Sequence, residues 1–146
     1  MCTKTYTYTT SSTAGDNLYY KFFWGDNTDS GWIGPYNSGE TASASHVWTA
    51  HGTKEVTAIV KIGSGGLPSD PSNSLSVRVY KVGDCNGDDL VNPGDINPFV
   101  LMLSSGETAY YQAFPDGYFY TGDINLDDLV NFGDINPFVA LLSGGG

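Results

Sequence analysis

Positive charge is scarce in this chain. Lysine and arginine together number six in 146 residues, against sixteen Asp and Glu, for a formal net charge of −10. That balance argues against binding DNA or RNA, which needs a basic footprint. Long apolar runs are also missing, and none approaches the ~20 residues that span a bilayer. Met1 leads straight into Cys2 and a Thr/Tyr-rich stretch, with no secretory leader in view; the expectation is either a mature or recombinant fragment or an address signal that lies upstream. Histidine is limited to His46 and His51. Neither has Ser or Cys at a nucleophile spacing, and no Gly-x-Ser-x-Gly elbow occurs. No enzyme is expected. Cysteine is limited to Cys2 and Cys85. These two can pair with each other, pair between chains, or stay reduced.

The acid is concentrated. Residues 81–146 hold ten of the sixteen acidic residues and one of the six basic ones. Most of it lies in two copies of one phrase. Residues 83–104 match residues 122–143 at 17 of 22 positions, at an offset of 39. A repeat this close signals two copies of one structural unit.

Within each copy, oxygen-bearing side chains stand at loop positions 1, 3, 5, 9 and 12. In the first they are Asp84, Asn86, Asp88, Asn92 and Asp95; in the second, Asp123, Asn125, Asp127, Asn131 and Asp134. Position 7 needs only a backbone carbonyl, which Leu90 and Leu129 supply. This is the spacing with which a tight loop gathers about 6–8 oxygens around Ca2+. Without an ion the same carboxylates would repel one another. The pattern therefore assigns these acids to a cation rather than to acid–base catalysis, and two calcium ions are expected per chain. Position 6 of an EF-hand is normally Gly. Here it is Asp89 and Asp128, which tolerate a left-handed backbone at some cost.

Each loop continues into the same Ile-Asn-Pro-Phe-Val run, where a capped short helix is expected. A second short helix is expected from Glu107 to Phe114. Phe99, Phe138, Leu103 and Leu142 are the expected core of this small unit.

This half, over residues 83–143, resembles the type I dockerin family. The residues that carry the resemblance are Asp84, Asn86, Asp88, Val91, Asn92 and Asp95 with the helix that follows, and their counterparts from Asp123 to Asp134. The resemblance implies a calcium-binding unit that docks onto a cohesin-like protein partner. Carried over, the partner contacts are Pro93, Gly94, Val100 and Leu101 in the first copy, and Phe132, Gly133, Val139 and Ala140 in the second. The loop pair lacks the hydroxyl residues usual in cellulosomal dockerins, so a cellulosomal cohesin is not the expected partner.

The other half reads as β-structure. Residues 5–10, 18–24, 32–33, 41–48, 54–62 and 75–82 are expected strands, with turn signals every ~8–12 residues, as in an antiparallel sandwich. Tyr20, Phe22, Trp24 and Trp48 are expected in the core, Trp32 and Tyr36 at the surface, and His46 as a satisfied structural residue. Tyr20-Lys-Phe-Phe-Trp-Gly-Asp26, Ser30-Gly-Trp-Ile-Gly-Pro-Tyr36, Ser45-His-Val-Trp48 and Gly52-Thr53 followed by Val56 make this stretch similar to a PKD domain, an immunoglobulin-like module of extracellular and surface proteins. Such domains generally begin with one more strand than is visible here. Either the sheet tolerates a missing edge strand, or another chain supplies it by strand addition to the open edge. The antiparallel count also brings Cys2 and the exit of Val82 to one end of the sandwich, where a Cys2–Cys85 bridge is an expected possibility.

The expected architecture is thus an all-β immunoglobulin-like (PKD) sandwich over 3–82, followed over 83–146 by a small all-α dockerin-like unit with two EF-hand-type calcium loops. The expected role is non-catalytic, extracellular or cell-surface attachment. Self-assembly into a filament or surface layer, and carbohydrate binding by the Trp32 patch, stand as alternatives.

Overall fold

The computed structural model describes residues 5–144. The chain divides into two compact units, with the boundary between Val79 and Tyr80, three residues before the sequence-derived one. Cys2 lies outside the described residues, and so does its expected pairing with Cys85.

The first unit has six strands: β1 Tyr6–Thr10, β2 Leu18–Phe23, β3 Ile33–Tyr36, β4 Ala42–His46, β5 Gly52–Ile62 and β6 Leu75–Val79. They form two antiparallel sheets, β1-β4 and β3-β2-β5-β6. β1 skips to β4 and β2 skips to β5, which is the crossed connectivity of an immunoglobulin-like sandwich. Among the described residues β1 pairs with β4 alone.

Side chains on a strand alternate between faces, and the sequence uses this throughout. β2 buries Leu18, Tyr20 and Phe22 and sends Tyr19, Lys21 and Phe23 to the outer face. β1 turns Tyr6 and Tyr8 inward, onto Trp48 at 5.4 Å and Trp24 at 5.8 Å between ring centroids. Trp24, Ala42, Trp48, Val56 and Val79 complete the core. Trp48 donates its indole N–H to the Trp24 carbonyl at 3.0 Å, so its one polar atom is satisfied inside. Trp32 and Tyr36 are half-buried rather than exposed. Tyr36 pairs with Leu18 across the sheet, which sets its ring 5.7 Å from that of Tyr20.

The turn after β2 relies on positive φ at Gly25 (74°) and Asn27 (69°). A Cβ at Gly25 would fall 2.6 Å from the Glu55 backbone nitrogen, so glycine is required there. Between them, Asp26 accepts from Thr28 N–H (3.0 Å) and Oγ1–H (2.6 Å) and pairs with His46 Nε2 at 2.7 Å. His46 lies flat against Trp24, 5.0 Å away with 3° between the planes. Burial works to raise the Asp26 carboxyl, but the Thr28 and His46 hydrogen bonds outweigh it and hold it below its ordinary range. A depressed folded value contributes stability above the unfolded pKa of about 3.9, and that contribution disappears as pH falls through the lower folded value. Asp26→Ala therefore lowers the melting temperature of the sandwich at pH 7. The gap to the parent narrows below about pH 4, which thermal melts across the acid range measure.

In the second unit a loop over 84–95 ends in a 3-10 turn, Pro93–Asp95. α1, Ile96–Ala113, follows and is broken at Gly106 (φ 74°, ψ −173°), so it is two short helices in line with the expected pair. A 3-10 turn at Phe119–Gly122 leads into the second loop, which ends in the turn Phe132–Asp134 and α2, Ile135–Leu142. The two copies meet at Phe99 and Phe138, 4.2 Å apart. Met102, Tyr110, Phe119 and Cys85 share that core, with Leu103 and Leu142 packed on its flank.

Candidate metal centre

Both loops are tied together by their own acidic side chains. Asp84 Oδ1 accepts N–H from Gly87 (2.8 Å) and Asp88 (3.1 Å), and its Oδ2 accepts from Asp89 (2.9 Å). Asp95 Oδ1 accepts from Cys85 (2.7 Å) and Asn86 (3.1 Å), and its Oδ2 from Asn92 (2.9 Å). The first residue of the loop thus holds its middle, and the last holds both its start and its end. Asn86 Oδ1 accepts from Asp88 N–H (3.0 Å), Asp88 Oδ1 from Leu90 N–H (2.9 Å) and Asn92 Oδ1 from Gly94 N–H (2.7 Å).

The second loop repeats the pattern. Asp134 accepts from Ile124, Asn125 and Asn131, Asp123 from Asp127 and Asp128, Asn125 from Asp127, Asp127 from Leu129, and Asn131 from Gly133. Asn92 and Asn131 each open a capping box with the acid three residues on. That closes the loop onto its helix.

The backbone bears out the reading of position 6. Asp89 and Asp128 both lie at φ 66°, in the left-handed region where EF-hand loops place glycine. Position 4 is left-handed too, at Gly87 (81°) and Leu126 (63°). Leu126 has no short polar side chain to ease that conformation, which costs an ordinary residue about 1–2 kcal/mol. Leu126→Gly should recover up to about 1 kcal/mol of this, after glycine's own entropic cost. The expected outcome is a higher melting temperature for this unit, read by thermal denaturation.

A carboxylate has about four lone-pair sites. Asp84 and Asp95 each spend three on backbone N–H groups, leaving one. Asp88 spends two, on Leu90 N–H and Asn86 Nδ2–H. Oxygen capacity for a cation therefore remains after the loop has satisfied its own backbone. Asp84, Asp95, Asp123 and Asp134 are all buried. Burial pushes the Asp84 and Asp123 carboxyls up, and the neighbouring Asp95 and Asp134 push the same way, against the loop N–H bonds. A divalent cation would oppose both effects. Among the described residues no three His, Cys, Asp or Glu side chains are grouped so as to hold a metal by themselves. The expected donor set includes as well the amide oxygens at positions 3 and 9 and the carbonyls of Leu90 and Leu129. All-oxygen donors of this kind fit Ca2+ and not a soft metal.

The residues expected to meet a partner lie mainly at the surface. Pro93, Gly94, Gly133 and Ala140 are exposed; Val100, Phe132 and Val139 are 53%, 76% and 55% exposed; Leu101 is half-buried. The sequence reading missed Ile96 (43%) and Ile135 (39%). Each stands four residues before Val100 or Val139, hence on the same helix face. It also missed Tyr110, fully buried, whose hydroxyl donates to the Cys85 carbonyl at 3.0 Å. Cys85 is fully buried, and burial pushes its thiol up to about 12, so it behaves as packing rather than as a nucleophile.

The fold and site together define a two-part protein: an immunoglobulin-like β-sandwich followed by a helical unit with paired Asx-rich loops. The chain is similar to the PKD domain of an M14-like peptidase from Thermoplasmatales archaeon SCGC AB-540-F20, with 39% identity over 53% of this chain and 80% of that one, and a TM-score of 0.46. No protein-family model and no curated protein matches the chain.

Proposed function

We propose that this protein is a non-catalytic, extracellular calcium-binding attachment module in which a PKD-like sandwich carries a dockerin-like docking unit. Two Ca2+ ions would be held by Asp84, Asn86, Asp88, Leu90, Asn92 and Asp95, and by Asp123, Asn125, Asp127, Leu129, Asn131 and Asp134. The ions supply charge neutralisation in the loops. The chain's own residues do the rest: the capping boxes fix each loop to its helix, and Phe99 against Phe138 fixes one helix to the other. What supports docking is the pair of apolar stripes Pro93–Ile96–Val100 and Phe132–Ile135–Val139, which stand on the surface together with the loop residues Leu90, Leu126 and Leu129, while Phe99, Met102, Phe119 and Phe138 pack inward. Exposed apolar groups in a contiguous stripe mark an interaction face.

The partner proposed is a cohesin-like protein. Val100→Asp with Val139→Asp should weaken capture of such a partner at least tenfold while leaving calcium uptake intact, and chelation should release it. Capture that survives both the substitutions and the chelator would overturn the proposal. Self-assembly has one specific observation in its favour, the edge of β1. Sizing the chain alone with and without calcium separates the two: a monomer in both conditions supports docking to another protein.

A further inference from the structure

The outer face of the larger sheet carries an arrangement that the docking proposal does not use. Tyr19, Lys21 and Phe23 point outward from β2, and Lys61 pairs with Tyr19 across β5. Trp32, just before β3, lies among them. Lys61 Nζ is 5.9 Å from the centre of the Tyr19 ring and 4.3 Å from that of Trp32. Lys21 Nζ is 5.6 Å from Trp32 and 5.9 Å from Phe23. The five side chains therefore alternate ring, ammonium, ring, ammonium, ring. Two of the six basic residues of a chain of net charge −10 stand on this one patch.

Each lysine is also held in place. Lys21 pairs with Asp29 Oδ2 at 3.4 Å, and Lys61 donates to the Ser64 carbonyl. Asp29 and Glu55 line the cleft at the Phe23 end of the same sheet. They make that end unfavourable for an anion and leave the Tyr19–Trp32 end as the cationic one.

We infer that this face binds an acidic polysaccharide, with the Trp32 and Tyr19 rings stacking on the C–H faces of pyranose units and Lys61 and Lys21 pairing with their carboxylates. Charge complementarity selects an anion. The rings select a sugar chain over an acidic peptide, because glutamate and aspartate side chains offer the ammonium groups a partner but no flat C–H face to the ring surface left half-exposed. A second copy of this chain fits less well. Its exposed acids, such as Asp88, Asp89 and Asp127, could meet the lysines but bring no C–H face to the rings.

The test is calorimetric titration of the calcium-loaded full chain with hyaluronan oligosaccharides, alongside neutral dextran and poly-glutamate. The expected result is binding to hyaluronan that weakens with salt, and none to dextran. Trp32→Ala and Lys61→Gln should each weaken it at least tenfold with an unchanged far-ultraviolet circular dichroism spectrum. Trp32→Phe, which keeps a ring, should lose less and guards against a folding defect. Absence of hyaluronan binding, equal binding of poly-glutamate, indifference to the Lys61→Gln and Trp32→Ala substitutions, or self-association removed by those same substitutions would overturn the inference.

Discussion

Asp84→Ala combined with Asp123→Ala should unfold the second unit at room temperature and abolish its calcium uptake. Asp84 is buried and accepts three backbone N–H bonds. Hydrogen bonds to a charged group contribute about 1.5–3 kcal/mol each, and a donor left buried without a partner carries its desolvation cost. Since bonds that share one acceptor do not add fully, the expected cost is about 3–5 kcal/mol per loop. The core it acts on is small, built from Phe99, Met102, Tyr110, Phe119, Phe138 and Cys85, and such a core rarely holds more than about 3–5 kcal/mol by itself. Two losses of this size exceed it. The Asn pair, Asp84→Asn with Asp123→Asn, retains an acceptor oxygen but loses charge. It should fold measurably better than the Ala pair yet still bind calcium at least a hundredfold more weakly. Hydrogen exchange of the amides over 84–142 measures the first effect, and a calcium titration measures the second.

Trp48→Ala should have the comparable effect on the sandwich. Its side chain is fully buried and its indole N–H satisfies the Trp24 carbonyl. Tyr6, Tyr8 and His46 pack against the ring at 5.4, 5.9 and 5.2 Å. Removing a buried Trp costs about 3–5 kcal/mol through lost transfer and an unfilled cavity, and here an unpaired buried carbonyl adds to it. The expected outcome is loss of the cooperative melting transition of the first unit. Trp48→Phe, which keeps a ring but not the N–H, should retain the transition at a lower temperature.

The strands were legible because period-2 alternation is a local signal. Tyr20, Phe22 and Trp24, two apart along the expected strand, place the core face before any pairing is known. The turn within each loop was legible because Asx residues at this spacing need a left-handed position, and Asp89 and Asp128 adopt it. Legibility ended where distant segments meet. Trp32 reads as an exposed aromatic between glycines, but β3 folds back on β2 and places it between two lysines that are forty residues apart in sequence. Tyr110 carries no local sign that its hydroxyl will meet the Cys85 carbonyl 25 positions away. Ile96 and Ile135 could have been found, because helical spacing from Val100 and Val139 puts them on the same stripe.

The measurement that bears most directly on calcium-dependent ordering is calorimetric titration of the chelator-stripped chain with calcium, followed by hydrogen exchange on the same sample. Uptake of two ions per chain, with protection rising across both loops and across Phe99 and Phe138, is the predicted result. No heat of binding, or binding that leaves amide protection in the second unit unchanged, would contradict it.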